Sequence, residues 1–309
     1  MGSFLCGFVL TIVCMPFFIQ WMKRKQIQQP VSVYLQHDSK KQTPTMAGVV
    51  MVFCLLLAVY IANVWISQDL YVVHCMSSLV CACMVIGIID DVSNIRAGRN
   101  YHAFSIKKRM ILELCASLIF SVAILSHLDD LSIWNLLLAT ITIAAYMNAY
   151  NITDGLDGLS STQGVIVLCF LAIYAKTNVT SMLNVTCLNI LYVAIGILVA
   201  FLWFNAPKAA IFMGDTGSLA IGALIGGIVV LLRCEFLSIG FAIILVCNAL
   251  SSFLQIMYFK ITGGSRLFRI APLHHLCESY SWNESKIVFR FAIIAIVVGL
   301  VTLWIKSFF

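Results

Sequence analysis

The sequence predicts an all-α, polytopic membrane protein with about ten transmembrane helices in a single domain spanning 1–309. Three observations predict it. Charged residues make up only 10% of the chain and hydrophobic residues 61%, whereas soluble domains carry about 25% charged residues. The mean hydropathy is +1.00. Apolar runs recur along the whole length, most of them close to the ~20 residues needed to cross hydrocarbon.

The first run, 3–21, lacks a basic n-region and an Ala-x-Ala cleavage site, so it reads as a retained helix and not a signal peptide. The second, 46–66, is entered from Lys40-Lys41-Gln42-Thr43-Pro44, and the third, 70–89, ends on Asp90-Asp91. The fourth, 109–127, opens after Lys107-Lys108, and the fifth, 132–150, runs into a polar stretch from Asn148 to Ser160. The sixth, 161–176, closes on Lys176; the seventh, 187–204, stops before Asn205. The eighth, 218–233, follows Gly217; the ninth, 237–259, ends before Lys260; the tenth is 287–306.

Charge sets the orientation. Sixteen of the nineteen basic residues fall in the loops after odd-numbered spans or at their edges, leaving Lys176, Arg233 and Lys306 on the other side. The positive-inside rule makes the odd-numbered loops cytoplasmic and both termini external. The net charge of +6 is explained by these loops and calls for no nucleic-acid partner. Eleven of the twelve cysteines lie in apolar runs, which is the pattern of small buried hydrophobes and not of a disulfide framework.

Five clusters on the cytoplasmic side carry chemistry. Lys40 and Lys41 supply positive charge where an anionic headgroup or substrate would sit. Asp90 and Asp91 end an apolar run, where the helix dipole disfavours negative charge, so a divalent metal or the basic loop 96–109 is expected to compensate. Asn151-Ile152-Thr153-Asp154-Gly155-Leu156-Asp157-Gly158 places two carboxylates three residues apart beside flexible glycines. Phe212-Met213-Gly214-Asp215-Thr216-Gly217-Ser218, preceded by Asn205, reads as a metal-binding Asp or as a phosphate-binding helix start capped by Asp or Ser. His274 and His275, with Glu278, are expected at a substrate phosphate. Glu113 reads either as an i,i+4 partner of Arg109 or as a buried group facing the site. The external acids Asp69, Asp129, Asp130 and Glu235 are expected to be solvated loop residues. Oxygen and amide donors without a Cys/His set favour a hard ion such as Mg²⁺. Metal with basic groups at a membrane surface suggests phosphoryl-type transfer from a nucleotide-activated group to a lipid.

The sequence resembles the polyprenyl-phosphate sugar-1-phosphate transferases. Asp90-Asp91, Asn151-x-x-Asp154-Gly-x-Asp157-Gly and Phe212-Met213-Gly214-Asp215-x-Gly217-Ser218 carry that resemblance. Lys-Lys-x-Thr-Pro-Thr-Met at 40–46, and Ala271-Pro272-Leu273-His274-His275 with Glu278, Trp282, Glu284 and Arg290, narrow it to the phospho-N-acetylmuramoyl-pentapeptide transferase branch. The resemblance implies ten helices and a cytoplasmic, Mg²⁺-dependent site in the inner (plasma) membrane of a bacterium. It implies UDP-MurNAc-pentapeptide and undecaprenyl phosphate as substrates, lipid I and UMP as products, and homodimerisation. It implies Asp215 as the Mg²⁺ ligand, Asp90 and Asp91 near the lipid phosphate, and Asn151, Asp154 and Asp157 along the nucleotide diphosphate. Lys40, Gly158, Asn205 and Phe212 correspond to uridine-side contacts, and His274 and His275 to the substrate phosphate region.

The chain departs from that family's pattern at Gln42 and Ala47, where Gly is usual, at Asn94 in place of Lys, at Leu276 in place of a third His, and at Glu113 in place of Gln. Loss of the Lys at Asn94 removes a cation beside the Asp pair, and Arg96 or Arg99 is the expected substitute. Two rival readings are a UDP-N-acetylhexosamine transferase of the same superfamily and a non-catalytic membrane protein or transporter. The 40–46 and 271–291 segments oppose the first. Polar groups gathered at span ends, and not at the bilayer midplane, oppose the second.

Overall fold

A computed structural model describes residues 1–26, 43–62, 64, 66, 69–97, 105–177 and 182–308. The twelve elements assigned among the described residues are all helices: α1 Gly2–Arg24, α2 Gly48–Ala62, α3 Leu70–Ala97, α4 Ile106–His127, α5 Ile133–Thr153, α6 Leu159–Thr177, α7 Met182–Asn205, α8 Gly214–Leu231, α9 Glu235–Phe241, α10 Ile243–Ile261, α11 Leu273–Ser279 and α12 Glu284–Lys306. Among the described residues, nine helices are long and apolar enough to cross a membrane. The expected second span is a shorter apolar helix, α2.

Three expected boundaries move. The third span continues through Asp90 and Asp91 to Ala97, because the polar residues after Ile89 include no Gly or Pro to stop the helix. The Asp pair therefore sits inside a helix, not at its end. The ninth span is broken at Ala242 into α9 and α10. The loop 260–285 contains α11, which begins directly after Pro272, a residue whose fixed φ suits a helix start.

The bundle is organised around α8. Every residue of α8 except Asp215 is buried, and it packs mainly on α3 and α5. A second layer pairs α7 with α1 and α6. Helices in a bilayer gain little from hydrophobic exclusion, so close backbone approach through small residues must hold them together. α8 provides this with Gly222 and Gly226: a Cβ there would lie 2.7 Å from Met147 Cα and 2.8 Å from Ile143 Cα on α5. By contrast α1, α10 and α12 present rows of exposed apolar side chains, as lipid-facing helices do.

This packing brings the C-terminal half of α3, the end of α5 and the start of α8 to one end of the bundle. At the opposite helix ends, two of the expected solvated acids are engaged. Asp69 accepts from Val72 N–H at 3.2 Å and faces His127 Nε2 at 2.9 Å, and Asp130 pairs with Arg233 at 2.5 Å. They serve as a helix cap and as ties between helices, because short turns place them beside those partners.

Candidate active site

The two carboxylates of the Asp pair have different surroundings. Asp91 is 5% exposed. Its Oδ1 accepts from Asp215 N–H at 3.1 Å, and its Oδ2 accepts from Thr216 N–H at 2.9 Å and Thr216 Oγ1–H at 2.6 Å. Asp91 thus caps the first turn of α8 from a neighbouring helix, and the positive end of that helix compensates its charge. The cap expected from Asp215 or Ser218 is supplied across the α3–α8 contact instead.

Asp90 faces the other way. Its Oδ2 lies 2.7 Å from Arg109 Nη1, and its Oδ1 accepts from Asn94 Nδ2 at 3.4 Å. The same Arg109 nitrogen lies 3.6 Å from Asp215 Oδ2. Arg109, in the first turn of α4, is therefore the group that compensates Asp90. Arg96, one of the two expected substitutes, is exposed; Arg99, the other, lies outside the described residues. Sequence reasoning placed Arg109 in the basic loop and noted its spacing to Glu113, but its approach to Asp90 depends on how α3 and α4 pack.

Asp215 is oriented from α5. Asn151 Nδ2 donates to Asp215 Oδ1 at 2.6 Å and to Ser218 Oγ at 2.8 Å. The Asp215 side chain is 25% exposed, so one carboxylate edge is held and the other is reachable. Asp215 with Asp90 is an all-oxygen donor set of the kind a hard divalent cation uses. No group of three or more His, Cys, Asp and Glu converges on a metal position among the described residues. A Mg²⁺ ion held by one or two carboxylates and completed by water and phosphate oxygens fits that arrangement.

The turn between α5 and α6 is held in place by several ties. Ser160 Oγ–H donates to Asp154 Oδ1. Burial raises the Asp154 carboxyl to about 6; the Ser160 hydrogen bond opposes this, and Asp91 and Asp157 add to it. Asp157 Oδ2 accepts from Ala209 N–H at 3.1 Å, and Asp157 N–H donates to Glu284 at 3.1 Å. Gly158, at φ +76, donates its N–H to Asn205 Oδ1 at 3.1 Å. Asn205 is 3% exposed and also takes Ser161 Oγ–H and gives Nδ2–H to the Ile211 carbonyl. Asn205 and Gly158 thus tie the turn to the α7–α8 connection. The Phe212 N–H donates to the Pro44 carbonyl at 2.8 Å and its carbonyl accepts from Ala47 N–H at 3.1 Å, which fixes the start of α2 beside α8. Lys40 lies outside the described residues.

The two histidines have different partners, although their ring centres lie 4.3 Å apart. His274 is fully buried, with its N–H and Nδ1 both 3.3 Å from Asn248 Oδ1 on α10. Burial, followed by the neighbouring His275, lowers its pKa to about 3, so the ring is neutral. Its Nε2 has no hydrogen-bond partner and sits over Gly155, where a Cβ would come within 2.5 Å. His275 is half-buried and pairs with Glu278 through Nδ1 at 2.6 Å. Beyond this turn lies an open cavity of ≈570 Å³ lined by Asp157, Lys208, Glu278, Trp282 and Glu284 among others. The Arg290 guanidinium stacks over Trp282 at 4.2 Å.

Thr216 and Asn148 lie inside stretches that the sequence singles out but have no role assigned there, and Asn248 lies outside them all. Each acts through a partner on another helix.

The family model described as Glycosyl transferase family 4 matches residues 73–233, which runs from the first turn of α3 through α8 and takes in Asp90-Asp91, Asp154, Asp157 and Asp215. The phospho-N-acetylmuramoyl-pentapeptide-transferase of a Nitratiruptor species is 36% identical over 329 residues, covering 97% of this chain and 92% of that protein. The namesake protein of Campylobacter curvus is 34% identical, covering 97% and 92%. That of Sulfurimonas denitrificans is 34% identical, covering 98% and 94%. Matches of this identity cover nearly the whole chain, and with them the chain belongs to the phospho-N-acetylmuramoyl-pentapeptide-transferase family.

Proposed function

We propose that this chain transfers phospho-MurNAc-pentapeptide from UDP-MurNAc-pentapeptide to undecaprenyl phosphate, giving lipid I and UMP, in a Mg²⁺-dependent reaction. The observation that carries the reading is the arrangement of Asp90, Arg109, Asp215 and Asn151 at one end of the bundle, in a chain that matches its relatives over nearly their whole length. The basic loops on that side support a cytoplasmic site in the plasma membrane of a bacterium.

In this reading an oxygen of the lipid phosphate attacks the β-phosphorus of the donor diphosphate. A new P–O bond forms, and the bond from that phosphorus to the bridging oxygen breaks, so UMP leaves with that oxygen. Asp90 accepts the proton of the lipid phosphate when one is present. Arg109 faces the negative charge that spreads over the phosphate oxygens, and Asn151 keeps Asp215 pointed at the same region. A bound Mg²⁺ would neutralise the donor diphosphate and the departing UMP. Asp91 is occupied by three donors from α8, which favours direct displacement over a covalent Asp91 intermediate.

The test uses the purified full chain in detergent with UDP-MurNAc-pentapeptide, undecaprenyl phosphate and Mg²⁺, following UMP. Release that depends on Mg²⁺, yields lipid I and falls by about 10²-fold or more in Asp215→Asn is the expected result. Release with UDP-GlcNAc alone would move the chain to the hexosamine branch. Silence with both donors in a folded preparation would sink the transferase reading.

A further inference from the structure

Glu113 is a carboxylate in the second turn of an apolar helix, and it is 1% exposed. A charge in such a place is costly unless it is compensated, and it then usually serves the site it faces. Its two oxygens go to different partners. Oε2 accepts from Asn148 Nδ2 on α5 at 2.7 Å. Oε1 lies 3.3 Å from Arg109 Nε, one helical turn earlier on the same face.

The Arg109 guanidinium is thereby held at one edge and presented by the other. Its Nε edge rests against Glu113, and its Nη1 is 2.7 Å from Asp90 and 3.6 Å from Asp215. Arg109 Nε and Glu113 Oε1 make no hydrogen bond, with each other or with any other group, so their 3.3 Å contact is a charge pairing that belongs to these two groups. A planar fork can be gripped on one side and used on the other, which a lysine ammonium cannot. Asn148 also donates to the Ala144 carbonyl of its own helix, so the chain of contacts is anchored in the backbone of α5.

We infer that Glu113 is a positioning residue for phosphoryl transfer: with Asn148 it holds the Arg109 guanidinium at the Asp90–Asp215 pair, where the reacting phosphates meet. This rests on the transferase reading above. Without the Glu113 charge the Nε edge of the guanidinium loses its counter-charge, and its Nη groups are no longer fixed in direction at Asp90 and Asp215.

The experiment compares wild type, Glu113→Gln, Glu113→Asp, Arg109→Lys and the Arg109→Lys/Glu113→Gln double variant by steady-state UMP release. Glu113→Gln keeps the shape and an oxygen for Asn148 but removes the charge. It is expected to lower kcat about 10- to 100-fold with little change in the KM for the donor, since a small misplacement near the reacting atoms costs that much. Glu113→Asp restores part of the loss. In the double variant a lysine no longer leaves a buried carboxylate unpaired, so the combined loss is smaller than the product of the single losses. Wild-type kcat in Glu113→Gln, or losses that simply multiply in the double variant, would overturn the inference while leaving the transferase reading intact. If Glu113→Gln does not fold, the Glu113→Asp variant decides, with an unchanged kcat counting against. A wild-type chain that releases no UMP removes the reading and this inference together.

Discussion

Asn151 Nδ2 donates to Asp215 Oδ1 at 2.6 Å and so ties the last turn of α5 to the first turn of α8. The hydrogen bond takes one edge of the carboxylate and leaves the other facing Arg109. Through this contact the polar stretch that begins in the last turns of α5 acts on the Asp of a separate motif. Asn151→Ala is therefore expected to lower kcat about 10²-fold, because Asp215 is free to rotate out of line. Asp215→Asn should lose about 10²- to 10³-fold, the scale seen when one preorganised charge is removed. UMP release across a Mg²⁺ titration checks both. Asn151→Ala should need more Mg²⁺ for half-maximal rate, and an unchanged Mg²⁺ dependence would count against its role.

Asp90 and Asp91 should separate in their effects. Asp91→Ala removes the acceptor for two backbone N–H groups and one hydroxyl at the head of α8. Loss of such a cap costs about 0.5–2 kcal/mol, so its melting temperature should fall. Asp90→Ala leaves Arg109 with Asp215 and Glu113 as partners. Its activity should be lost with a smaller change in melting temperature. Thermal unfolding of both variants in the same detergent is the check, and equal destabilisation would refute the division.

Gly155 and His274 share one space. A Cβ on residue 155 would sit 2.5 Å from His274 Nε2, and that ring is held by Asn248. Gly155→Ala should cost about 1–3 kcal/mol, the range for overpacking a well-packed interior. Adding His274→Ala vacates the space, so the double variant should be more stable than the two single losses combined. A double-mutant cycle on melting temperature measures this, and strict additivity would show that the two residues do not touch.

The pH dependence of stability should contain two opposing contributions. Asp154 has a folded pKa of about 6, above its ordinary value of 3.8, mainly through burial. The folded chain then holds the extra proton, so this contribution is fully present below pH 3.8 and is lost as pH rises through about 6. His274 has a folded pKa of about 3, below its ordinary 6.5. There the unfolded chain binds the proton, so stability is lost as pH falls below about 6.5. Between about pH 4 and 6 the two slopes oppose each other. Asp154→Asn should therefore lose stability more steeply than wild type on acidification from pH 6.5 to 4. His274→Gln should show the reverse slope. Melting temperatures over that range test the signs, and parallel curves for all three proteins would refute both assignments.

Much of the protein was legible in the sequence because a bilayer imposes a strong pattern. Long apolar runs revealed the helices, and the polar clusters at Asp90-Asp91, Asn151–Gly158 and Asp215 are the ones that the fold brings together. The break at Ala242 was not legible because Gly240 beside it stands in an otherwise unbroken apolar run, and the continuation of α3 through the Asp pair was not because a fall in hydropathy marks the edge of a membrane span and not the end of a helix. The sequence points to the basic loop 96–109 for the cation beside the Asp pair, with Arg96 or Arg99 in place of the Lys lost at Asn94, and does not say which residue of that loop reaches Asp90. It is Arg109, nineteen residues away, because α4 packs back along α3.

The sequence by itself determined that the chain is a bundle of membrane-spanning helices with its acids and amides gathered at one set of helix ends. Hydropathy and charge placement are local properties, and they are enough for that. Only the tertiary structure decided which of two adjacent carboxylates caps a helix and which meets a cation, which histidine is sealed in, and that Glu113 reaches Arg109 and Asn148 together. Those assignments depend on where separate helices touch. Contacts such as Gly222 and Gly226 against α5 set those positions to within an ångström, and a hydrogen bond forms or fails over that distance.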